Sequence, residues 1–279
     1  MTPVPATSHY VEHNHVKLHH LDWGNEGKPA IVLVHGVRLH AHVWNHFCRR
    51  YSDRYHIIAL DQRGHGDSGW GHHDHYHPEE YYHDLNAVVK ARGLKRFTLI
   101  GHSLGGRVSM LYAHRHPDTL ERLVLVDITP GRPAGMSATA DMSRITETPP
   151  PQDYESPSIA AEYLKKIMKL APPEGIEESV HFGMRQMDNG RYTWKYDPAL
   201  FRRPAPLPYN MWDVVKDIPV PTLLLYGSHS NVVTPELAQQ MAETMPKCAV
   251  ERVERAGHGL FTDQPEVFAQ GVGRFMGAL

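Results

Sequence analysis

A chain of 279 residues is long enough for one α/β domain or two small ones, and it buries about three quarters of the surface that its unfolded form exposes, so it needs no metal or disulfide staple. With 29 Lys plus Arg against 31 Asp plus Glu, a net charge of -2, there is no electrostatic case for nucleic acid or an anionic membrane as partner. Two widely separated cysteines, Cys48 and Cys248, make no disulfide framework and read as free thiols in a reducing compartment.

Residues 1–8 are polar and lack the basic start and apolar stretch of a signal peptide. No apolar run approaches the roughly 18 residues of a membrane span, so the expectation is a soluble cytoplasmic protein. Residues 16–21 read as an early hairpin strand at one edge of a sheet. The runs 30–34 (AIVLV), 57–60, 97–100, 123–126 and 222–226 are short, rich in Val, Ile and Leu, and followed by turn signals. Continuous apolar runs of this kind suit a parallel sheet covered on both faces. Residues 249–253 supply a last strand. Helical patterns occupy 78–92, 104–116, 234–245 and 264–276, the third opening with Thr234-Pro235, an N-cap followed by proline in the first turn. Strands alternating with helices imply right-handed crossovers and a doubly wound α/β sheet.

The stretch 129–219 breaks this rhythm with prolines at 149–151, 172–173, 204, 206 and 208. Only 159–170 reads as helical there, and no strong strand stands out. The expectation is a cap insertion at 131–217 lying over a core built from 1–130 and 218–279. A flexible linker is the alternative, although structureless loops of this length are uncommon in compact domains.

Gly101-His102-Ser103-Leu104-Gly105 matches G-x-S-x-G between an apolar run and a helical segment. That strand-turn-helix setting is what a nucleophile elbow requires, because the serine sits on a strained turn that points its hydroxyl outward. A serine hydroxyl needs a base. His258, in Ala256-Gly257-His258-Gly259 after the last strand, lies on a loop at the same sheet edge. His102 is adjacent to Ser103 but leaves the turn in another direction. An oxyanion hole takes two backbone N–H groups. Leu104 is one candidate, and Val37 in His35-Gly36-Val37 is the other. Asp61-Gln62-Arg63-Gly64-His65-Gly66-Asp67-Ser68 reads as a tight turn that supports the site.

Together HG at 35–36, DQRGHGDS at 61–68, GHSLGG at 101–106 and AGH at 256–258 resemble the α/β-hydrolase superfamily over nearly the whole chain apart from the cap. The resemblance implies a mostly parallel doubly wound sheet with a helical cap, a serine nucleophile and no cofactor. In most members the acid follows the strand after the cap, often as G-x-x-D. Here that region reads YGSHSNVV at 226–233, with Ser230 at the usual acid position and no carboxylate before Glu236. The other known placement is one strand earlier, where Asp127 opens DITP. A carboxylate there can hold the histidine in its useful tautomer. The pairing of DITP with GSHSNVV is similar to a subgroup of esterases and amidohydrolases that draw their acid from this strand.

The expected activity is hydrolysis of a small-molecule carboxylic ester, amide or lactone. Carbon–carbon hydrolysis of a vinylogous diketone, cofactor-free perhydrolysis and a catalytically silent small-molecule-binding protein are the alternatives. Arg38, Arg107 and Arg132 are candidates for binding a substrate carboxylate. Tyr163, Phe182, Met184, Met187, Tyr192 and Trp194 either line an apolar pocket or form cap core. Histidine is over-represented, with 22 copies, many in the groups 9–20 and 72–77. His73, Asp74 and His75 have metal-ligand residue types but no HExxH spacing, and the expectation is a polar surface loop without a metal. Protonation of so many histidines below about pH 6 would make the protein strongly cationic.

Overall fold

The computed structural model describes residues 6–131, 153–201, 207 and 209–278. Among these residues ten strands run in chain order: β1 (Thr7–His13), β2 (Val16–Asp22), β3 (Ala30–Val34), β4 (His56–Leu60), β5 (Phe97–His102), β6 (Leu120–Val126), β7 (Met184–Gln186), β8 (Tyr192–Trp194), β9 (Thr222–Gly227) and β10 (Cys248–Val253). Eight of them form one sheet in the order β1-β2-β4-β3-β5-β6-β9-β10. From β4 to β10 every neighbouring pair is parallel, and β1 and β2 add on antiparallel. The helices are α1 (Asn45–Tyr51), α2 (Pro78–Ala91), α3 (Leu104–Arg115), α4 (Pro157–Ile167), α5 (Pro173–Gly183), α6 (Met211–Val215), α7 (Pro235–Thr244), α8 (Leu260–Asp263) and α9 (Pro265–Met276).

The central strands bury on both faces because alternate residues feed two separate apolar layers. Val32, Val34, Leu99, Leu123 and Leu125 pack with α2, α3 and α7 on one side. Ile31, Leu33, Ile100, Val124 and Val126 pack with α1 and α9 on the other. This is the covered parallel sheet that continuous Val/Ile/Leu runs call for. Thr234 caps α7 as its sequence suggested, accepting the Leu237 N–H at 3.3 Å.

Residues 16–21 are not at the edge. β2 is the second strand, and β1 covers it in full register from Thr7↔Asp22 to His13↔Val16. Both cysteines are free, Cys48 buried and Cys248 half-buried. Among the described residues no helix is long and apolar enough to cross a membrane.

Between β6 and β9 the described residues build a small apolar cluster of their own. Tyr154, Ala160, Leu164, Ile176, Val180 and Met184 form it, joining α4, α5 and the β7–β8 hairpin. Its links to the sheet layers are largely polar: Arg49 to Glu178 at 2.6 Å, Lys195 to Asp67 at 2.8 Å and the Asp197 N–H to the Gly64 carbonyl at 2.8 Å. Ala199, Leu200 and Leu207 pack again on the main core, and α6 buries Met211, Val214 and Val215 there.

Candidate active site

Strand register decides which residues meet. Val34 pairs with Leu60 and with Gly101, His102 with Val126, and Val126 with Leu225. The segments leaving β3, β5, β6 and β9 therefore emerge side by side at the carboxyl edge of the sheet. Pairing continues just past the strand ends, with the Ser103 N–H on Val126 O at 3.2 Å and the Asp127 N–H on Leu225 O at 2.7 Å.

Ser103 sits between β5 and α3 with φ 52° and ψ -114°, a conformation that costs a non-glycine residue energy. Asp127 also has positive φ, 49°, and is completely buried. Its Oδ2 accepts His258 Nδ1 at 2.7 Å, while Oδ1 accepts the Gly227 N–H at 3.0 Å. With Nδ1 donating to a carboxylate, neutral His258 carries its free lone pair on Nε2. Among the described residues the Ser103 hydroxyl itself has no hydrogen-bond partner.

His102 does leave the elbow in another direction, and it has a task there. Its Nε2 donates to the His258 carbonyl at 2.9 Å, and the two rings lie 4.5 Å apart. Burial holds its imidazole well below the ordinary histidine range, so it stays neutral. On the far side of the histidine loop, the Gly257 N–H donates to Asp263 Oδ2 at 2.8 Å. Neither contact has a short-range sequence signal.

The loop after β3 presses directly on the elbow. A Cβ on Gly36 would stand 2.5 Å from His102 Nδ1 and 3.1 Å from Ser103 Cβ, and one on Gly105 would stand 2.2 Å from Val34 O. Only hydrogen at these positions lets the two backbones approach. The N–H groups of Val37 and Leu104 meet no acceptor among the described residues. Leu104 is the first residue of α3, where an unpartnered amide favours negative charge. Gly36→Ala is expected to cost about 1–3 kcal/mol and to slow turnover. A melting temperature and rate equal to the parent's would contradict that close approach.

The 61–68 turn braces this loop. The Gln62 N–H donates to His35 Nε2 at 3.1 Å, and Gln62 Nε2 donates to the His35 carbonyl at 2.7 Å. Asp61 receives His19 Nδ1 at 2.7 Å and the Ala41 N–H at 2.6 Å. Arg63, with no exposed side-chain surface, forks onto Asp84 at 2.5 and 2.7 Å and anchors α2.

Arg38 follows Val37 with φ 65°, and its charge acts on Tyr196. Arg107 lies one turn into α3, its N–H on the Ser103 carbonyl at 3.1 Å. Arg132 lies outside the described residues. Trp194 donates to the Tyr154 hydroxyl at 3.3 Å and packs with Tyr163 and Tyr192 against the small apolar cluster. Phe182 stacks on His42 at 3.8 Å, tying α5 to the loop after β3. Trp44 is buried beneath that loop against Phe261 and Phe268.

A cavity of about 250 Å³ opens between that loop, α5 and α8, lined in part by His40, His42, Arg49, Glu178 and Phe261. Neither Ser103 nor His258 lines it. His72, His73 and Asp74 bring ligand-type atoms within 4.8 Å of one another on an exposed turn. The similar groups around Asp61 and Asp22 already commit their carboxylates, Asp22 to Gly24, His56 and Arg92.

Comparison with known proteins follows the same lines. An esterase from Mycobacterium tuberculosis is 29% identical over 90% of this chain and 83% of its own. N-formylmaleamate deformylase from Pseudomonas putida is 27% identical over 95% of each chain. The crystal structure of E-2-(acetamidomethylene)succinate hydrolase aligns with a TM-score of 0.87 over 98% of this chain and 100% of that one; at 24% identity this is a likeness of fold. The model of the alpha/beta hydrolase family matches residues 31–271, a span that contains the elbow, Asp127 and the His258 loop. Sheet order, elbow and matched span agree, and the chain belongs to the alpha/beta hydrolase family.

Proposed function

We propose that the protein hydrolyses a carboxylic ester, amide or lactone of a small molecule through Ser103, His258 and Asp127. The observation that carries this reading is the 2.7 Å bond between His258 and the fully buried Asp127 carboxylate, placed at the sheet edge from which the strained Ser103 turn projects. Ser103 Oγ attacks the carbonyl carbon as His258 Nε2 takes its proton. Asp127 stabilises the imidazolium that forms without taking the proton itself. The developing oxyanion is received by the N–H groups of Val37 and Leu104. The imidazolium then protonates the leaving alcohol or amine, and a water activated by the same histidine releases the acid. We further propose that residues 131–217 serve as a cap above this edge, and that Arg38 and Arg107 favour an acidic substrate.

The relatives support the chemistry at the level of class, since one is named an esterase and another removes a formyl group. The test is labelling by a fluorophosphonate together with turnover of a chromogenic short-chain ester. Ser103→Ala is expected to abolish labelling and to cut kcat by about 10⁶. Labelling that persists in that variant, or turnover near the parent rate, would remove Ser103 from the reaction.

A further inference from the structure

We propose that Ser230 is a positioning residue for the triad acid, fixing the direction of Asp127 and setting how strongly it holds the His258 proton. The proposal rests on the triad reading above. Ser230 Oγ donates to Asp127 Oδ2 at 2.6 Å, and this is the same oxygen that receives His258 Nδ1 at 2.7 Å.

The hydroxyl has one available orientation. Its oxygen accepts the N–H groups of Val232 and Val233, both at 3.0 Å, which occupies its two lone pairs. Its single proton is left for Asp127. Two amides donating into the hydroxyl also polarise it and strengthen the bond it gives. The turn is itself anchored, with the Ser230 N–H on the Gly227 carbonyl at 3.0 Å while the Gly227 N–H holds Asp127 Oδ1 at 3.0 Å. Both carboxylate oxygens are thus fixed from the same turn after β9, and the buried charge has three donors rather than two.

Loss of the hydroxyl concentrates the carboxylate charge on the His258 bond. The imidazolium is then favoured to higher pH, and the carboxylate is free to rotate out of line. The other ionisable groups facing this pair are His102 from the elbow, Asp263 from α8 and His229 from the turn after β9. His102 stays neutral through burial, and burial raises Asp263. Neither touches Ser230, and His229, its chain neighbour, bonds the Ser228 hydroxyl through Nδ1 at 3.0 Å, so a difference between Ser230→Ala and Ser230→Thr, which share that neighbour, reports on Asp127 and His258.

The experiment is the pH dependence of kcat/KM on a chromogenic short-chain ester for the parent, Ser230→Ala, Ser230→Thr and Ser230→Cys. Ser230→Ala is expected to lower kcat/KM roughly tenfold at neutral pH and to move the acid limb up by about one unit. Ser230→Thr keeps the hydroxyl and restores both. Ser230→Cys, a weak donor of similar size, shifts the limb the same way and serves in place of the alanine variant should that one not fold. An acid limb that stays in place in Ser230→Ala and Ser230→Cys overturns the proposal, whatever the loss of rate. So does a threonine variant as impaired as the alanine. Activity that survives Ser103→Ala is a separate outcome and counts against the triad itself.

Discussion

Asp127→Asn is expected to reduce kcat by about 10⁴ while the protein stays folded. An amide cannot stabilise the imidazolium, and with its oxygen on the Gly227 N–H its NH2 faces His258, where it repels Nδ1–H or donates to a bare Nδ1 and so holds the wrong tautomer. The fold should survive because asparagine tolerates the positive φ of 49° at this position. Its carbonyl oxygen can still accept the Gly227 N–H. Circular dichroism and a melting curve beside the kinetics make the result decisive. A folded variant with turnover within tenfold of the parent would show that the acid is elsewhere, or that none is needed.

Mild acid should destabilise the protein well before its carboxylates titrate. His35 and His40 are held at about 4 and His65 at about 3, in each case chiefly by burial. In the unfolded chain the same rings titrate near 6.5. Between those values the unfolded state binds more protons, so stability is complete above about pH 6.5 and falls as the pH drops towards 4. Each ring costs roughly 2 kcal/mol at pH 5, and three together rival the 5–15 kcal/mol that holds a typical domain. The melting temperature should fall by about 10–20 °C from pH 7.5 to pH 5 at constant salt. A flat melting temperature over that interval would mean that these rings are not sealed from water.

A second loss is expected below about pH 4. Burial pushes the Asp22 carboxyl up, but the bond to His56 and neighbouring donors outweigh it and hold it at about 2. Asp61 is likewise lowered against its burial, first through His19. Both stabilise the fold above the ordinary carboxylate range and cease to do so as they protonate.

Strands and elbow were legible because their signals are local. AIVLV at 30–34 and the glycines around Ser103 each declare themselves within a few residues. β1 did not, since TSHYVEH has neither an apolar run nor a clean alternation. Its partners are imidazoles: His9 stacks on His20 at 5.7 Å and Tyr10 meets His19 at 5.1 Å, contacts that pairing alone creates. The β7–β8 hairpin was missed because its strands are three residues each. The histidine count hides a distinction as well. Of the 22 rings, His19, His20, His35, His40, His56, His65 and His102 are buried, and a count does not separate them from rings at the surface. Within the site, the choice between the ends of β6 and β9 for the acid turns on which of two neighbouring strands faces His258. Ser230 as a donor to Asp127 depends on a contact across 103 positions.

The apolar cluster formed by α4, α5 and β7–β8 shares little with the layers under the sheet, and charged or polar pairs form much of the seam between them. Exposed pairs of this kind contribute little binding energy each and are easily exchanged. On the proposed reading, in which that cluster belongs to the cap and the strand ends carry the triad, what a molecule must look like to be accepted can drift in one part of the chain while the bond-breaking apparatus stays as it is. Relatives that share this scaffold and differ in the compounds they consume are the natural outcome of such a division.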